Sequence, residues 1–169
     1  MWVNKSLDLS GILGDALIYF IAVAITEEGL KFAVVYFRVL RTTQLDEPID
    51  AMIYMIIAAL GFAAIENILL LAPLFQEDFA MTLKLTVFRF LGATLLHVLA
   101  SAIIGYYLAI SLRKSKLKIP LLIHGFTLAI LVHGFYNILV TQLDVYPAAI
   151  YPIAAVIKKS NANSLFDGP

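Results

Sequence analysis

The chain has 169 residues, 62% of them hydrophobic and only 14% charged, with a mean hydropathy of +0.91. A soluble domain carries about 25% charged and about 45 to 50% apolar residues, so this composition excludes a soluble fold and points to a membrane protein. Twelve basic residues balance twelve acidic ones, which argues against a nucleic-acid partner, and the lack of cysteine excludes disulfides and thiolate chemistry.

Crossing ~30 Å of hydrocarbon takes about 20 apolar residues, and four segments qualify: 12–39, 49–72, 85–112 and 119–141. The first follows a short N-terminus with one lysine and no small-residue cleavage pattern, so it reads as a spanning helix and not a removable signal peptide. The second opens at Asp46-Glu47-Pro48, where proline suits a first helical turn, and ends near Pro73. Gln76 to Thr82 reads as a short polar loop before the third, and Pro120 opens the fourth.

A fifth segment, 145–157, contains Pro147 and Pro152 and is too short for a full span; the tail 160–169 is polar and reads as loose. The expected architecture is an all-α polytopic transmembrane helix bundle, one domain over residues 1–159, with four full spans and a short C-terminal helical segment. If the loop between the third and fourth spans is cytoplasmic, Arg38, Arg41, Arg113, Lys114, Lys116, Lys118, Lys158 and Lys159 lie inside, against Lys5, Lys84 and Arg89 outside. That excess favours an extracytoplasmic N-terminus.

Ionisable groups sit deep inside all four spans. Glu27, Glu28 and Lys31 lie on the first, Glu66 beside Asn67 on the second, His97 on the third, and His133 one turn before Asn137 on the fourth. Each charge near the bilayer centre costs roughly 2.5 to 3.5 kcal/mol on insertion scales, so such groups face a protein interior. At ~1.5 Å per residue they reach one depth. Small residues share their faces, at Ser101, Gly105 and Ala109, at Gly125 and Ala129, and at Ala59 and Ala63, which lets the helices approach and turns the polar groups inward.

Each group has a simpler reading. Glu27 and Lys31 are i,i+4 neighbours and could form an insertion-aiding ion pair, which leaves Glu28 unexplained. Glu66, His97, His133 and Asn67 could each be a hydrogen-bonded interhelical contact, and His124 lies off the face of His133 and reads as structural. Their coincidence at one depth on four helices favours a polar pocket.

The ordered patterns Glu27-Glu28-x-x-Lys31, Phe62-x-x-x-Glu66-Asn67, His97, and His133-x-x-x-Asn137 resemble the PrsW family of intramembrane proteases, relatives of the CAAX prenyl proteases, over residues 15 to 141. The CAAX relatives prefer arginine and histidine where this chain has Phe32 and Glu66, so the PrsW branch fits better. The resemblance implies a bacterial or archaeal membrane endopeptidase acting at site 1 of a single-pass, anti-sigma-factor-like substrate. Family members commonly carry further helices before the first motif, so the chain reads as a minimal member or a fragment.

Peptide hydrolysis requires an activated water and stabilisation of an oxyanion. Glu27 or Glu28, with Glu66 or His97 as partner, is expected as the general base, and His133 and Asn137 as oxyanion donors, with Lys31, Asn67 and Ser101 supporting. A Zn2+ alternative places the metal on Glu66, His97 and His133 with a glutamate of the pair as base; without a His-Glu-x-x-His pattern the metal-free version ranks first. The rival functions are a non-catalytic scaffold of the same fold and a proton relay. Four or five spans without inverted repeats disfavour the relay.

Overall fold

The computed structural model describes residues 9–42, 45–76 and 78–142, and among these every regular element is helical. Helix α1 spans Leu9–Val35 and continues through a π-helical turn, Tyr36–Leu40. Helix α2 spans Pro48–Leu71, α3 Phe79–Arg89, α4 Leu95–Arg113 and α5 Lys118–Gln142. A second π-helical turn, Phe90–Thr94, joins α3 to α4 in one continuous helical run of 35 residues. The expected segments 145–157 and 160–169 lie outside the described residues.

Local chemistry sets these ends. Pro48 supplies a fixed φ at the first position of α2, and the backbone N–H groups of Asp46 and Glu47 donate to Asp50 Oδ2 at 3.1 and 2.8 Å. Residues 79–82 are helical and not part of a loop as the sequence reading expected. The reason is Asp78, whose Oδ1 accepts from the Met81 backbone N–H at 2.9 Å and so starts α3 early.

Three runs, Pro48–Leu71, Phe79–Arg113 and Lys118–Val140, are long and apolar enough to cross a membrane. Helix α1 is long enough too, but carries Glu27, Glu28 and Lys31 in its second half. Ile18, Ile57, Ile68, Leu69, Leu95 and Phe135 point outward, the inside-out pattern of a membrane bundle, in which lipid and not water meets the large apolar side chains.

Helix α4 is central. It packs on α2 along one side and on α5 along the other, and α1 closes the bundle against α5 and α2. The close approach rests on small residues: a Cβ on Gly105 would lie 2.5 Å from Met52 Cα of α2, and one on Gly125 would lie 2.8 Å from Tyr107 Cβ of α4. Val35, Val39, Met55, Ala100, Ile104 and Ala129 form an apolar core towards the end of the bundle that carries Arg38, Arg41 and Arg113. The polar residues gather beyond that core, towards the opposite end.

Candidate active site

Glu28 is the hub. Its side chain is fully buried and accepts from the Lys31 ammonium at 2.7 Å, from the Ser101 hydroxyl at 3.0 Å and from His133 Nδ1 at 2.9 Å. Three helices therefore meet on one carboxylate. The ion pair of Lys31 is thus with Glu28, three residues away, and not with Glu27, because Glu28 turns into the bundle where the ammonium lies.

Lys31 is equally enclosed. At 2% exposure it donates a second bond to His97 Nδ1 at 2.9 Å and stands 4.8 Å from the centre of the Phe62 ring. An ammonium has donors only, so His97 Nδ1 is the acceptor and Nε2 carries the hydrogen. That Nε2 donates to Glu66 Oε2 at 2.9 Å. The same logic fixes His133: its Nδ1 donates to Glu28, and its Nε2 keeps a lone pair.

Glu27 stands apart. Its Oε2 is buried and has no hydrogen-bond donor, and it faces His133 Nε2 at 3.4 Å and His97 Nδ1 at 3.8 Å. This oxygen thus faces the free lone pair of His133 Nε2 and the His97 Nδ1 that accepts from Lys31, across a gap that a cation or a donating water would fill.

Glu66, one-third exposed, reaches the network from its rim. Its Oε2 contacts Arg89 Nη2 at 3.1 Å in ion-pair contact outside hydrogen-bond geometry, while Arg89 Nε donates to Asn67 Oδ1 at 2.5 Å and Asn67 Nδ2 donates to Thr94 Oγ1 at 3.2 Å. Arg89 was counted with the outer basic residues on sequence; at 6% exposure it is part of the site. The spacing Thr82, Leu85, Arg89, all buried on α3, is the signal that could have found it.

Glu27, Glu28, Glu66, His97 and His133 are brought together, with Lys31, Ser101 and Asn67 holding them. Asn137 is buried one turn from His133 on the same helix, and His124 is exposed, its ring 6.3 Å from that of Tyr107. The ligand set differs from the sequence reading: among the described residues, the group able to hold a metal ion is Glu27, His97 and His133, whose ligand atoms all lie within 4.8 Å of one another. Glu66 is instead spent on His97 Nε2 and Arg89. These residues fit a divalent cation on their chemistry: one orphaned carboxylate oxygen, two imidazole lone pairs, and a carboxylate behind each ring to hold its orientation.

A family model described as PrsW family intramembrane metalloprotease matches residues 2–158. The chain belongs to the PrsW family. Protease PrsW of Geobacillus kaustophilus is 33% identical over 138 residues, covering 81% of this chain and 58% of that protein. Protease PrsW of Oceanobacillus iheyensis is 28% identical over 159 residues, covering 88% and 69%, and that of Bacillus subtilis is 28% identical over 132 residues, covering 78% and 57%. The chain thus spans roughly half to two thirds of the PrsW relatives it matches. No solved structure matches.

Proposed function

We propose that this chain is an intramembrane endopeptidase that hydrolyses a peptide bond of a membrane protein. The observation that carries this reading is the pair of acceptors, Glu27 Oε2 and His133 Nε2, facing each other at 3.4 Å with no donor on the carboxylate oxygen. A water seated against this pair donates a hydrogen to one of the two acceptors and presents a lone pair to a substrate carbonyl, which is the arrangement general-base hydrolysis needs.

The surrounding residues hold that geometry. Glu28 fixes the ring of His133 through Nδ1, and Glu66 fixes that of His97 through Nε2, so neither imidazole can turn its lone pair away. His133 has its one N–H committed to Glu28 and therefore acts as an acceptor, in place of the oxyanion donor expected on sequence. Donors for the oxyanion are Asn137 and Arg89, whose Nη2 makes no hydrogen bond.

Glu27, His97 and His133 would hold the metal that the family description implies. Bound there, a divalent ion supplies Lewis acidity and a more acidic water. The donor set and the family description together move the metal version ahead of the metal-free one.

The substrate class follows from the resemblance: a single-pass membrane protein of the anti-sigma-factor type, cut on the extracytoplasmic side. The test is reconstitution of the purified chain with such a substrate, comparing the wild type with Glu27→Gln and His133→Ala, before and after chelation. Loss of cleavage in both variants is expected, with chelation inhibiting and zinc restoring. Undiminished cleavage by both variants refutes the site, and cleavage by no form favours a scaffold role.

A further inference from the structure

Lys31 occupies the nitrogen that a metal would need. Its ammonium lies 2.9 Å from His97 Nδ1, and the opposite face of that ring is pinned by the 2.9 Å bond from Nε2 to Glu66. The imidazole cannot offer a different lone pair by turning, so His97 serves either the ammonium or a metal at any moment. Lys31 has a second anchor, Glu28 Oε1 at 2.7 Å, and on releasing His97 it stays paired and buried.

From this geometry we infer that Lys31 is a resident cation that competes with a divalent ion for His97 in the site of Glu27, His97 and His133 and cedes that nitrogen when the ion enters. The inference rests on the reading of those three residues as metal ligands. The charges of the network allow the exchange. Three carboxylates, Glu27, Glu28 and Glu66, face two cations, Lys31 and Arg89, so the named groups sum to −1 with both histidines neutral. A divalent ion takes the sum to +1, so Lys31 sets affinity by opposing the metal twice, as a competitor for Nδ1 and as a like charge nearby.

The sign of one measurement separates this role from a structural one. If Lys31 merely braced Glu28 and through it His133, its removal would loosen the ligands and weaken metal binding. As a competitor, its removal tightens binding.

The purified full-length chain in detergent is titrated with cobalt(II) alone, read by the d–d absorption of the bound ion, as wild type, Lys31→Met and, for control, His97→Gln. The expected result is a cobalt Kd at least about tenfold lower in Lys31→Met, the scale of a lost charge-assisted hydrogen bond, and loss of the band in His97→Gln. An equal or higher Kd in Lys31→Met overturns the inference while leaving the metal site standing. Cobalt taken up by Lys31→Met alone supports it most strongly. Failure of both forms to bind overturns the metal reading itself and this inference with it.

The wild type alone provides a second readout should the variant not fold. The 15N resonance of the Lys31 ammonium should move when zinc(II) saturates the protein. A resonance that stays in place while zinc binds overturns the exchange.

Discussion

Removing the charge of Glu28 leaves the Lys31 ammonium buried without its anion, whereas removing that of Glu27 breaks no hydrogen bond at Oε2. Breaking a buried pair from one side costs about 3 to 5 kcal/mol. Glu28→Gln should therefore lower stability by several kcal/mol, seen as an earlier unfolding midpoint in denaturing detergent. Glu27→Gln should shift it by less than about 1 kcal/mol yet reduce cleavage by about 100-fold or more, as loss of a metal ligand or of the general base would. Equal stability losses would show that the two glutamates share one role. This division was not legible in the sequence: adjacent helical residues point about 100° apart, and only the packed neighbours decide which of two carboxylates meets Lys31. The Phe62-x-x-x-Glu66 pattern was legible as a face, but its meaning, a ring beside the Lys31 ammonium and a carboxylate behind His97, is a tertiary fact.

At the scale of the element, the π-helical turn Phe90–Thr94 decides whether α3 contributes to the site. Buried residues on this run step by three and four through Thr82, Leu85 and Arg89, then by five to Thr94, and by three and four again through His97 and Ser101. The five-residue step lets Arg89 and His97 both face inward, as π-turns at functional sites often do. Inserting one alanine after Leu91, which is exposed, makes a six-residue step that the π-turn does not absorb and should rotate α3 by about 100° relative to α4. Arg89 would then face lipid at a cost of roughly 2.5 to 3.5 kcal/mol and lose Glu66 and Asn67. The expected readout is a drop of at least tenfold in cleavage together with a lower thermal midpoint; an insertion mutant with wild-type cleavage would show that Arg89 is dispensable. Helix number and spacing were readable from hydropathy, which averages over a window, but a single extra residue in a turn leaves that average unchanged. The early start of α3 escaped for a related reason, since one N-cap aspartate outweighs the polarity of the residues around it.

The whole bundle is polar at unequal depths, and this bears on which side of the membrane the site serves. Along their helices, Glu27, Glu66, His97 and His133 lie about 17 to 27 Å from the end marked by Arg38, Arg41, Arg113, Lys114, Lys116 and Lys118, with the apolar core between. Glu66 is only about 8 Å from the far end of α2. If the basic end is cytoplasmic, as the positive-inside tendency favours, the site lies in the outer half of the membrane, on the side of the proposed extracytoplasmic cleavage. The absence of cysteine makes this directly measurable. A single cysteine at Pro73, in the turn after α2, should react in intact cells with a membrane-impermeant maleimide, and one at Lys116, an exposed residue between α4 and α5, should react only after the membrane is opened. The reverse pattern would place the site in the cytoplasmic half and exclude extracytoplasmic cleavage, whatever the chemistry of Glu27 and its neighbours.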